Sequence, residues 1–182
     1  GDHMPLHVAN TIFGGTFTAR MMREVRSKRG WSYGASSRLP YDRHRDAFSM
    51  WTAPGASDAA ACLALELGLL EKWRDKGITP KELTFTKTYL TRSHVFDVDT
   101  AGKRVFSRLS TELYDLPVDY NSRYVDNVKT VTKELADAAI RARIHPDALV
   151  IAVVGTHAEI GKAIEDAIPG LTEVKVVPFD LE

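Results

Sequence analysis

The stretch Asn10-Thr-Ile-Phe-Gly-Gly-Thr-Phe-Thr-Ala-Arg-Met-Met-Arg-Glu-Val-Arg-Ser-Lys-Arg-Gly-Trp-Ser-Tyr-Gly-Ala-Ser-Ser37 decides how the chain is read. Apolar residues recur near helical spacing from Leu6 through Ala9, Phe13, Phe17 and Met21 to Val25, which predicts a helix over Leu6 to Val25. Gly14-Gly15 interrupts that pattern. Each glycine costs about 1 kcal/mol relative to alanine inside a helix, so the pair marks a break or a close backbone approach. Gly30 follows the basic last turn as a helix stop. Tyr33 to Leu39 and Asp46 to Ala53 then predict a hairpin, with a polar turn over Pro40 to Arg45.

Downstream, Ser57 and Asp58 signal the cap of an apolar helix running to about Lys76. Thr79-Pro80 with Glu82 opens another that runs to about Phe96. Further helices are predicted from Thr100 to Tyr114, Asp119 to Val128, Thr132 to Arg143 and Ala158 to Ala167. Leu149 to Val154 and Val174 to Val177 are β-branched and continuous, as strands of a buried sheet are. With no internal repeat or linker, the pattern is that of one α+β domain: an antiparallel sheet of four strands packed with helices. Gly1 to Met4 has the look of a cloning scar, leaving 5–182 as the domain and a fragment of a longer chain as the expectation.

The 182 residues hold 24 Lys and Arg against 24 Asp and Glu, so no overall field concentrates the chain on nucleic acid or an acidic membrane. The apolar runs are far short of the roughly 20 residues that cross a bilayer. The only cysteine, Cys62, falls in an apolar stretch with no second cysteine to pair with, and a small buried hydrophobe is its reading.

Hydrolytic chemistry needs convergent groups. Two histidines one helical turn apart with a carboxylate nearby would hold a metal, but His7, His44, His94, His145 and His157 are scattered. The nearest approaches are His94 with Asp97 and Asp99, and His157 with Glu159; both read as solvated helix or cap features. There is no serine elbow, and Cys62 lacks polar neighbours that would lower its pKa. Arg20, Arg23, Arg26 and Arg29 with Lys28 form a basic helix end that complements the helix dipole.

The order of residues in Asn10 to Ser37 resembles the second, inactive domain of the M16 zinc peptidases, the group of pitrilysin, insulin-degrading enzyme and mitochondrial processing peptidase. That domain carries an Asn, then Leu-Gly-Gly, small residues, Arg-Leu, and Arg-Glu-x-x-Gly-x-x-Tyr. Gly77-Ile-Thr-Pro-Lys-Glu-Leu83, Leu116-Pro-Val-Asp-Tyr120 and His145-Pro-Asp-Ala-Leu-Val-Ile-Ala-Val-Val-Gly155 follow in the order the family has them. The chain departs from the family by lacking the strand region that precedes the Asn-x-x-x-Gly-Gly helix, so an incomplete sheet with an exposed edge, open to pairing between copies, is the expectation.

The resemblance implies one half of a clamshell. This half has no metal or other cofactor of its own and does not cleave peptides alone. It closes over a peptide held by a separate zinc-bearing M16 domain with a His-x-x-Glu-His motif, in the same natural chain or another subunit, making part of a zinc metalloendopeptidase. Arg26 and Tyr33, seven residues apart, match the pair that family members place on bound peptide. The resemblance gives them the catalytic support roles: Arg26 orienting the substrate backbone and Tyr33 stabilising the oxyanion. The chemistry suits those roles, because a guanidinium offers fixed donors to carbonyls and a phenol can donate to an oxygen that gains charge. Two other readings stay open: a scaffolding M16-like subunit without proteolytic role, and an anion-binding module built on the arginines. The bacterial periplasm or cytoplasm is the expected compartment.

Overall fold

A computed structural model describes residues 2–40 and 47–178. Helix α1 (His3–Phe13) ends at Gly14, where the predicted long helix breaks. After the Gly14-Gly15 interruption the chain resumes as a short α2 (Arg20–Met22), which widens into a π-helical turn (Arg23–Ser27). Gly30, at φ +67°, reverses the chain, a conformation that glycine adopts without steric cost. Strands β1 (Ala35–Arg38) and β2 (Ser49–Thr52) pair antiparallel, with Ala35 opposite Thr52 and Arg38 opposite Ser49. The expected hairpin is therefore present; its turn from Tyr41 to Arg45, and Asp46, lie outside the described residues.

Helices α3 (Ala59–Lys76), α4 (Pro80–Ser93), α5 (Ala101–Leu113), α6 (Tyr124–Thr130), α7 (Lys133–Arg143) and α8 (His157–Asp166) follow. A 3₁₀ turn, His94–Asp97, extends α4 to about the predicted end. The Thr79 hydroxyl accepts the Glu82 N–H while the Glu82 carboxylate accepts the Thr79 N–H, the reciprocal capping box its sequence announces. Helix α6 starts five residues later than expected, at Tyr124.

Helix α1 packs on α4, α6, α7 and β1. It carries Val8, Ala9 and Phe13 into a core with Met21, Val25, Leu70, Trp73, Val128 and Ile140. Phe13 and Trp73 stack at 4.3 Å between ring centres, with planes 9° apart.

The α+β class stands, but the sheet is smaller than the sequence suggests. Among the described residues it has two strands, and Leu149 to Val154 and Val174 to Val177 form none. Val150 is 100% exposed and Val154 95%. A β-branched run supplies the propensity for a strand, yet a strand also needs a ladder beside it; among the described residues neither run finds one.

Candidate functional site

The Asn-x-x-x-Gly-Gly motif welds α1 to β1. The Asn10 carbonyl accepts both glycine N–H groups at 2.9 Å, and the Gly14 carbonyl accepts the Ser37 N–H at 3.0 Å. The Ser37 hydroxyl donates to Asn10 Oδ1 at 2.6 Å in a buried contact. A methyl group at Gly14 would lie 2.4 Å from Ser37 N, so glycine is there because two backbones meet.

A second weld fixes α2. The Arg20 guanidinium donates through Nε and Nη2 to the two carboxylate oxygens of Glu82, each at 2.7 Å, and through Nη2 to the Gly77 carbonyl at 3.0 Å. Burial opposes ionisation of Glu82, but Arg20 and the Thr79 N–H outweigh it and hold the carboxyl down at about 2. Across the same turn the Asp137 carboxylate accepts the Ile78 N–H at 2.9 Å and pairs with Lys133. The Gly77-Ile-Thr-Pro-Lys-Glu-Leu83 segment is thus the anchor against which the start of α2 is held.

These anchors place Arg26 and Tyr33. Arg26 sits in the π-helical turn, one residue past the buried Val25. Tyr33 precedes β1 rather than starting it, as the sequence reading had it. It lies between two tethered residues: the buried Ser32 hydroxyl donates to the Gly34 carbonyl at 2.7 Å and accepts the Ala53 N–H at 3.2 Å, and the Thr52 hydroxyl donates to the same Gly34 carbonyl at 3.2 Å. The backbone on either side is fixed while the Tyr33 ring stays 85% exposed. Arg26 Cζ lies 4.4 Å from the centre of that ring. The pair singled out from sequence is in contact.

Within the arginine series, the other cations are already engaged. Arg20 is held by Glu82, while Arg23, Lys28 and Arg29 gather on Glu24. Arg26 alone of this series has no carboxylate partner among the described residues, and its buried Nη1 has no hydrogen-bond partner. Buried donors of this kind are costly unless something accepts from them.

Phe17 was missed by the sequence reading, which put it on the buried face of one long helix. The Gly14-Gly15 break takes it off that face, leaving it 66% exposed with its ring centre 4.6 Å from Arg26 Cζ. The signal available was the glycine pair itself, because a helical period cannot be carried across a break.

Neither metal candidate gathers a third ligand among the described residues. His94 Nδ1 is 3.4 Å from Asp97 and its ring stacks on Tyr124 at 4.5 Å, while His157 faces Glu165 at 3.9 Å rather than Glu159. Among the described residues no group of three His, Cys, Asp or Glu side chains is placed to hold a metal ion. Burial, with the neighbouring Glu66 carboxyl, pushes the Cys62 thiol up to about 11, far from the thiolate a nucleophile needs. No helix among the described residues is long and apolar enough to cross a membrane.

Residues 1–90, which hold both welds and the Arg26–Tyr33 contact, match the family described as the peptidase M16 inactive domain. That part of the chain is similar to the family's inactive domain. A crystal structure of a peptidase M16 inactive domain from Pseudomonas fluorescens superposes with a TM-score of 0.73 at 27% identity, covering 80% of this chain and 35% of that one. The crystal structure of a protease from Helicobacter pylori shares the fold at a TM-score of 0.65 and 14% identity, covering 80% and 35%. The non-peptidase homolog YmxG of Helicobacter pylori is 22% identical over 143 residues, covering 79% of this chain and 33% of its own length. The chain thus spans about a third of the length of these relatives.

Proposed function

We propose that this domain is the substrate-gripping, non-catalytic half of an M16 zinc peptidase. The observation that carries the proposal is the Arg26–Tyr33 pair: a guanidinium with unspent donors beside an exposed phenol, on a backbone fixed from both sides. Arg26 offers its free N–H groups to carbonyl oxygens of an extended peptide, a contact present before the reaction and throughout it. Tyr33 donates its hydroxyl to the carbonyl oxygen as water adds and negative charge collects there. Zinc and a glutamate base belong on the other half, a separate M16 domain of the same natural chain or of a partner subunit. On this reading this half binds and orients the peptide while the other half hydrolyses it.

A scaffolding role is the second reading, favoured by the relative named a non-peptidase homolog. Kinetics of the complete two-half assembly separate the two. Tyr33→Phe lowers kcat more than it raises KM, by about 10- to 1000-fold, and Arg26→Ala raises KM alongside any fall in kcat. Unchanged kinetics in both variants favour the scaffold.

A further inference from the structure

We propose that Phe17 is a positioning residue for Arg26, holding the guanidinium by its face so that its edge is presented to the peptide; this inference rests on the peptide-gripping reading above. An arginine side chain has many rotamers to lose, and one without a carboxylate partner has no charge to fix it. Arg26 is instead held by two rings, with Phe17 at 4.6 Å and Tyr33 at 4.4 Å from Cζ. Contact with two apolar ring faces uses none of the guanidinium's N–H groups; Nη1, buried beside the rings, has no hydrogen-bond partner among the described residues.

The two rings are not equivalent. The Tyr33 hydroxyl has its own work on the substrate, and drawing it there loads the ring contact. Phe17 has no polar atom, so stacking is all it can contribute. Its 66% exposure also means that core packing does not explain why a large apolar ring stands there. Phe17 reaches Arg26 because the Gly14-Gly15 break lets the chain leave α1 before α2 begins.

The test is a double-mutant cycle on the 182-residue chain. The probe is fluorescein-labelled, reduced and carboxymethylated α-lactalbumin, a permanently unfolded polypeptide, followed by anisotropy. Arg26→Ala weakens binding. Phe17→Ala weakens it by about 2- to 5-fold, the equivalent of about 0.5–1 kcal/mol for an exposed cation–π contact. Phe17→Tyr and Phe17→Trp restore binding to within about two-fold, since either ring can stack. The Phe17→Ala/Arg26→Ala double variant binds no more weakly than Arg26→Ala, because Phe17 acts only through the arginine. Thermal melts stay within about 2 °C of the parent, as for an exposed side chain. If Arg26→Ala weakens binding while Phe17→Ala does nothing, or adds its full effect to the double variant, the role of Phe17 is overturned and the peptide grip stands. If Arg26→Ala has no effect, the grip falls and the role of Phe17 with it.

Discussion

Gly14→Ala puts one methyl group into the junction between α1 and β1. The φ there, −150°, is outside the left-handed region that demands glycine, and the dominant cost is one of space. The new Cβ would lie 2.4 Å from both Ser37 N and Ser37 Oγ and 2.8 Å from Met21 Sδ. Met21 can turn aside, but the Ser37 backbone cannot without moving β1 by about 1 Å, an overpacking that costs about 1–3 kcal/mol. The move also strains the Ser37 N–H bond to the Gly14 carbonyl and the Ser37 hydroxyl bond to Asn10. Leaving one such buried group unmet adds about 1–3 kcal/mol. The expected loss is therefore about 2–6 kcal/mol, a fall in Tm of about 4–24 °C for a chain of this size.

Gly68→Ala is the control: Gly68 lies exposed inside α3 with open space where its Cβ would be. Its replacement should stabilise by about 0.5–1 kcal/mol through helix propensity. Urea unfolding followed by circular dichroism reads both variants. A Gly14→Ala protein within 1 kcal/mol of the parent, or one that behaves like Gly68→Ala, would refute the close approach of the two backbones.

Three other outcomes follow from buried charge and exposed apolar surface. Burial pushes the Glu66 carboxyl up to about 7 from an ordinary 4.5, and its Oε1 has no hydrogen-bond partner. The folded state then binds the extra proton, so stability falls as pH rises from about 4.5 to about 7, by about 3 kcal/mol in all; Glu66→Gln should abolish that slope and match the parent at pH 5 by urea titration. Glu82 has the opposite sign: its carboxyl is depressed to about 2, so its contribution is present above pH 4.5 and lost as pH falls toward 2. Because the pair is partly open to solvent, Arg20→Ala should cost about 2 kcal/mol at pH 7 and much less at pH 2, again by urea unfolding. Val150→Lys together with Val154→Lys should reduce concentration-dependent self-association in sedimentation velocity, because both valines stand exposed in a β-branched run with no strand beside it among the described residues; equal association in parent and variant would put the contact between copies elsewhere.

Local signals carried most of what the sequence made legible. Thr79, Pro80 and Glu82 announce their helix because a capping box closes within four residues, and Gly30 and Gly77 stop helices at positive φ. Arg26 and Tyr33 could be paired because only seven residues and one reversal separate them. What depends on distant partners was not legible. Leu149 to Val154 has strand chemistry but no ladder among the described residues, and nothing in the run itself reports that. Phe17 has the spacing of a core residue, and only the geometry after Gly15 shows it beside Arg26. The weld from Arg20 to Glu82 joins residues 62 positions apart, so the sequence shows a basic helix end where the structure shows a half-buried anchor.

Whether this face grips peptide is decided by a ¹⁵N-resolved NMR titration of the chain with an unlabelled, unfolded polypeptide, following backbone amides and the Arg26 Nε–H. Peptide gripping requires the largest shift changes at Phe17, at Arg26 and from Trp31 to Gly34, with the Arg26 side-chain signal moving in step and the changes lost in Arg26→Ala. Changes centred on another surface, or none at concentrations that saturate the complete assembly, would contradict it and leave the domain as a scaffold.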